Sequence, residues 1–134
     1  MVASALSGVP STVHALVTGG DVLRSTRAAA SLLGGTGVIR GAVAHLGVSA
    51  GWTAVLAAVD RRWPLDARRG AVAGAVIAAL DLEVVGRWFP AVRALPRAAQ
   101  WADHVAFGAL VGAVLRSTVD DHVECPTPDR VSPA

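Results

Sequence analysis

The stretch "GVIRGAVAHLGVSAGWTAVLAAV", residues 37–59, decides the fold: from Gly41 to Val59 it holds no Asp, Glu, Lys or Arg. A helix on the surface of a soluble domain needs a charged face. A bilayer span instead needs about 20 predominantly apolar residues. This run therefore reads as a membrane helix. Its neighbours follow the same pattern. Residues 70–89 and 97–119 form two further apolar runs, and residues 2–18 form a marginal one interrupted by Pro10. Neighbouring groups can satisfy the carbonyl that such a proline frees, and a re-entrant segment is the competing reading for 2–18.

Composition agrees. The 134-residue chain is 53% hydrophobic with a mean hydropathy of +0.51, yet it holds only two Phe and no Tyr. Its apolar content is mostly Ala, Val, Leu and Gly, which suits close helix packing in lipid better than filling a large aqueous core. All twelve basic residues are Arg, scattered along the chain, for a net charge of +2. No basic stripe of the kind nucleic-acid binding requires is present. The single Cys125 excludes an intramolecular disulfide. No basic n-region precedes the first apolar run, against a cleaved secretory signal.

Polar segments separate the runs. "DVLRSTRAAASLLG" (21–34) is too short to span and reads as an interfacial amphipathic helix that Asp21 could cap. Residues 60–69 and 90–96 are Pro-bearing connections, and 120–134 is a Pro-rich, charged tail expected to be disordered. Trp63, Trp88 and Trp101 fall near span ends, where amphipathic rings settle, while Trp52 lies inside a span and should face protein. "RGAVA" occurs at 40–44 and 69–73, a coincidence of composition more readily than a duplication. "GGTGVIRG" (34–41) lacks the strand that gives a dinucleotide loop its meaning and reads as a hinge. Six Arg fall on either side of a four-span arrangement, so charge does not orient it. A soluble Ala-rich bundle is the alternative, favoured by the short uninterrupted apolar runs in 70–89 and 97–119.

Glycines spaced by four recur in the spans: Gly37/Gly41, Gly47/Gly51, Gly70/Gly74 and Gly108/Gly112. Each pair shares a helix face that lets backbones approach, favouring a tight bundle or oligomer. At 100° per residue Asp81 falls on the Gly70/Gly74 stripe, and His104 lies near the Gly108/Gly112 stripe. Glu83 points some 160° away from Asp81. It precedes Arg87 by four, the favoured order for a local helical ion pair.

Depth brings the polar residues together. The midpoint between Asp81 and His104 falls inside the 90–96 connection, so an antiparallel hairpin sets them level. His45 lies about 12 Å into its span from the same side. His14 lies near that side too if the first run crosses. The expectation is a buried layer of His14, His45, Asp81 and His104, with Thr12 and Ser49 nearby. Ionisable groups at bilayer depth are costly and point to function.

Three uses of such a layer compete. The first is a structural lock setting helix register in an interaction or accessory subunit. The second is a proton, ion or small-solute pathway, since carboxylate and histidine chains relay protons; so small a chain would form a pore as an oligomer. The third is a haem or transition-metal site with His45, Asp81 and His104 as candidate ligands. The layer commits the chain to no cofactor, and no catalytic motif is evident. The remaining partners are the lipid bilayer and either a second copy or another membrane subunit.

"GVPSTVHALVTGGDVLRSTRAAASLLG" (8–34) and "WADHVAFGALVGAVL" (101–115) resemble a group of small, uncharacterised bacterial multi-pass membrane proteins. The resemblance covers most of the chain except the tail. It implies a helical fold in a bacterial inner (plasma) membrane, no activity and no functional residues. The expected architecture is an all-α integral membrane helical bundle over residues 1–119, with three or four transmembrane helices and one short interfacial helix.

Overall fold

The computed structural model describes residues 8–123, with side chains through Thr118. Among the described residues the chain is entirely helical, with no strand. Helix α1 spans Val9–Thr18, α2 Arg24–Ala29, α3 Val38–Asp60, α4 Ala67–Ala78, α5 Pro90–Arg93 and α6 Arg97–Val123. Residues 2–7 of the first apolar run and 124–134 of the tail lie outside the described residues. Residues 120–123, expected in the tail, continue α6 instead.

Local chemistry places the ends. Pro10 stands in the first turn of α1, where its missing N–H has no helical partner to lose. Gly19 ends that helix at φ 67°, a left-handed conformation that a Cβ disfavours. The Asp21 carboxylate accepts the Leu23 N–H at 2.9 Å and pairs with Arg27, opening the amphipathic segment. That segment is shorter than expected: α2 gives way to a 3-10 turn over Ala30–Leu33. Gly37, at φ 121°, starts α3. Asp66 caps α4, its side chain accepting the Arg69 N–H at 2.8 Å.

The expected single helix over 70–89 changes pitch twice. After α4 the backbone widens into a π-helical segment, Ala79–Val84, then tightens into a 3-10 turn, Val85–Trp88. Phe89 is extended, as a residue before proline favours, and Pro90 opens α5. This change of pitch overturns the Glu83–Arg87 pair, which assumed 100° per residue throughout. Glu83 pairs with Arg97 at the start of α6 instead.

Helices α4 and α6 pack antiparallel in the closest contact of the fold. Glycine makes it possible. A Cβ at Gly108 would stand 2.7 Å from the Gly74 nitrogen and 2.8 Å from its Cα; one at Gly70 or Gly74 would strike the carbonyl of Gly108 or His104. Gly112 meets Gly70 and the Asp66 carbonyl. Gly41 lies against the Thr26 carbonyl, letting α2 cross the start of α3. Gly37, Gly47 and Gly51 have nothing within 4 Å of where a Cβ would stand.

Helix α3 stands further off. A small apolar cluster of Leu56, Leu65, Ile77, Phe107 and Val111 ties its second half to α4 and α6. Two helices, α3 and the 97–118 part of α6, are long and apolar enough to cross a bilayer. At 1.5 Å per residue α3 measures about 35 Å, against a hydrocarbon core of about 30 Å. Only 11% of its most apolar stretch is buried within the protein, and 28% of that in α6. The core helix of a soluble protein would be mostly covered. Large apolar side chains instead point outward, among them Ile39 at 83% and Val72 at 67% exposure.

Candidate functional site

Asp81 and His104 face one another across the α4–α6 side of the bundle, with His104 Nε2 3.5 Å from Asp81 Oδ2. The same oxygen accepts the Trp52 indole N–H at 2.9 Å. One carboxylate oxygen thus joins α3, the π segment and α6. Asp81 sits inside the segment where helical pitch widens, a distortion common at functional sites.

The proton inventory follows from the geometry. His104 Nδ1 lies 2.7 Å from the Gln100 carbonyl, which can only accept, so Nδ1 carries a hydrogen. Nε2 faces Asp81 Oδ2 across 3.5 Å, an ion pair whenever the imidazole is protonated.

A cavity of about 260 Å³ opens beside this pair. His45, Ser49 and Trp52 of α3, Ser11 and Thr12 of α1, and Gln100, Asp103 and His104 of α6 supply most of its polar wall. Leu82, Phe89, Leu95 and Phe107 supply much of the apolar remainder. The cavity exists because α3 meets α4 and α6 closely only in its second half, while α2 bridges its first turns. Gln100 strengthens that bridge by donating to the Ser25 hydroxyl at 3.1 Å.

The expected layer divides. Asp81 and His104 meet, and His45, Thr12 and Ser49 line the cavity beside them. The His45 side chain is exposed rather than buried. His14 is exposed as well and lines a separate cavity of about 160 Å³ with Thr18, Asp21 and Arg24. It lies about one turn beyond Ser11, too far along α1 to join the others. Among the described residues no group of three His, Cys, Asp or Glu is placed to hold a metal ion, so His45, Asp81 and His104 do not form a ligand set.

Three contributors carried weak signals in the sequence. Trp52 was legible as protein-facing, but nothing in the spacing marked it as the donor to Asp81. Asp103, within two turns of the start of α6, accepts the Ser11 backbone N–H at 2.9 Å and lines the cavity. Gln100 precedes His104 by four, the interval at which its carbonyl meets the imidazole. Comparison with protein families, characterised proteins and solved structures returns no match to this chain.

Proposed function

We propose that this chain is a small multi-pass protein of the bacterial inner membrane that binds and passes a small solute through a largely apolar cavity with ionisable groups in its wall, within the bilayer. The observation that carries this reading is the 260 Å³ cavity walled by Asp81, Asp103, His45 and His104. His104 lies about 10 Å from the start of α6 and His45 about 10 Å from the start of α3, inside the hydrocarbon region of a spanning helix. Ionisable groups at that depth serve transport, proton relay or ligand binding by default. The outward apolar faces of α3 and α6 support the membrane setting. So do Trp63 and Trp88, 70% and 71% exposed, which stand at opposite ends of the helices as interfacial anchors do. Three crossings fit: α3, the helical path from Ala67 to Trp88, and α6.

One observation favours a structural lock instead. Trp52 and His104 both converge on Asp81 Oδ2, which fixes the register of three segments. Asp81→Asn separates the two readings. In proteoliposomes carrying a pH-sensitive dye, a pathway loses its pH-dependent flux while the variant stays folded. A lock shows no flux in the unaltered protein and a lowered melting temperature in the variant. Release of the chain from membranes by alkaline carbonate would defeat the membrane assignment itself.

A further inference from the structure

Two carboxylates, Asp81 and Asp103, two imidazoles, His45 and His104, and three aromatic residues, Trp52, Phe89 and Phe107, line the cavity. No arginine does, although the chain has twelve. Two acids elsewhere meet arginine: Asp21 pairs with Arg27 and Glu83 with Arg97. Asp81 stands against His104 and accepts the Trp52 indole N–H. Asp103 accepts a backbone N–H from Ser11, and no arginine among the described residues stands within ion-pair distance of it; the basic groups whose charge reaches it are the imidazoles of His104 and His45. A partly buried carboxylate at bilayer depth with no arginine beside it is costly. Aromatic faces beside it attract cations through the ring quadrupole.

We infer that the cavity binds a small organic cation, a protonated or quaternary amine with an apolar body. Its charge sits against Asp103 and Asp81, and its body lies on the rings of Trp52, Phe89 and Phe107. An anion would lie against two carboxylates, and a neutral molecule offers them no counter-charge. This inference rests on reading the cavity as a solute site and adds the class of solute.

The test uses the full chain in nanodiscs of zwitterionic lipid and equilibrium dialysis against three probes of similar size. Benzyltrimethylammonium carries the cation, benzenesulfonate the anion, and benzyl alcohol no charge. The expected result is saturable binding of one benzyltrimethylammonium per chain, at least tenfold tighter than either other probe. Asp103→Asn, which keeps an acceptor oxygen for Ser11, weakens that binding at least tenfold. Equal binding of the three probes, or cation binding unchanged in Asp103→Asn, overturns the inference. Should Asp103→Asn fail to fold, the comparison of probes on the unaltered chain decides alone. Flux that depends on Asp81 without any benzyltrimethylammonium binding would overturn the cation assignment and leave the solute pathway standing. Binding of the cation by a chain that carbonate releases from membranes would defeat the pathway and keep the cation site.

Discussion

Adding one methyl group at Gly108 tests whether the α4–α6 crossing holds the site together. The new Cβ would stand 2.7 Å from the Gly74 nitrogen and 2.8 Å from the Gly74 Cα, and it would also strike the Gly70 carbonyl. All three obstacles are backbone, so no side-chain rotation relieves them. Carbon atoms pack best at about 3.5–4.0 Å, so the helices must part by roughly 0.7 Å or more. A gap of that size forfeits a quarter to a half of each contact worth about 0.1–0.2 kcal/mol. Over a few dozen atom pairs the loss reaches about 2 kcal/mol, within the ~1–3 kcal/mol usual for overpacking. Alanine's better helix propensity returns at most about 1 kcal/mol. Gly108→Ala is therefore expected to lower stability by about 1–2 kcal/mol, read as a shift in the SDS fraction that unfolds the protein in mixed micelles. Gly74→Ala behaves alike, because its Cβ would strike the His104 carbonyl and press His104 away from Asp81. The two are expected to be sub-additive, since the first already opens the crossing the second needs. Gly47→Ala and Gly51→Ala are the controls, with nothing within 4 Å of the added carbon and a neutral or slightly stabilising effect expected. Unaltered stability in Gly108→Ala, or equal damage from Gly47→Ala, would refute the packing argument.

Two further predictions follow from single contacts. Trp52→Phe keeps an aromatic ring but removes the N–H that Asp81 accepts; combined with Asp81→Ala, which removes the acceptor, in a double-mutant cycle it should show a coupling of about 1 kcal/mol, near the range measured for hydrogen bonds between membrane helices, and additive effects would sever the proposed link. Asp66, outside the spans, has its carboxyl held below the ordinary value of 3.8, chiefly by the Arg69 backbone N–H. A depressed folded-state value contributes stability above the unfolded value, and that contribution is lost as pH falls through the lower folded value. Melting of the wild type should thus weaken between about pH 4 and more acid conditions. Asp66→Asn, which caps without titrating, should flatten that part of the profile, and an unchanged acid slope would count against the cap.

The amino-acid sequence alone determined the helical class, because in the bilayer it led us to expect, uncharged runs of Ala, Val, Leu and Gly leave the backbone no partner but itself. It also placed Asp81 level with His104, since a short connection forces an antiparallel hairpin and depth then follows from counting residues. The Gly70/Gly74 and Gly108/Gly112 spacings likewise marked the faces that the structure sets against each other. Only the tertiary structure decided the rest. The π segment at 79–84 arises inside a run with no proline or glycine between Leu80 and Val85, so nothing local announced that helical phase would slip and carry Glu83 from Arg87 to Arg97. The separation of His14 from the other histidines depends on where α1 lies along α6, a contact between segments some 90 residues apart. Trp52 and Asp103 entered the site for the same reason: the cavity is the space α3 leaves when α2 props its first turns away from α4 and α6. Periodicity describes one helix at a time, and that space belongs to none of them.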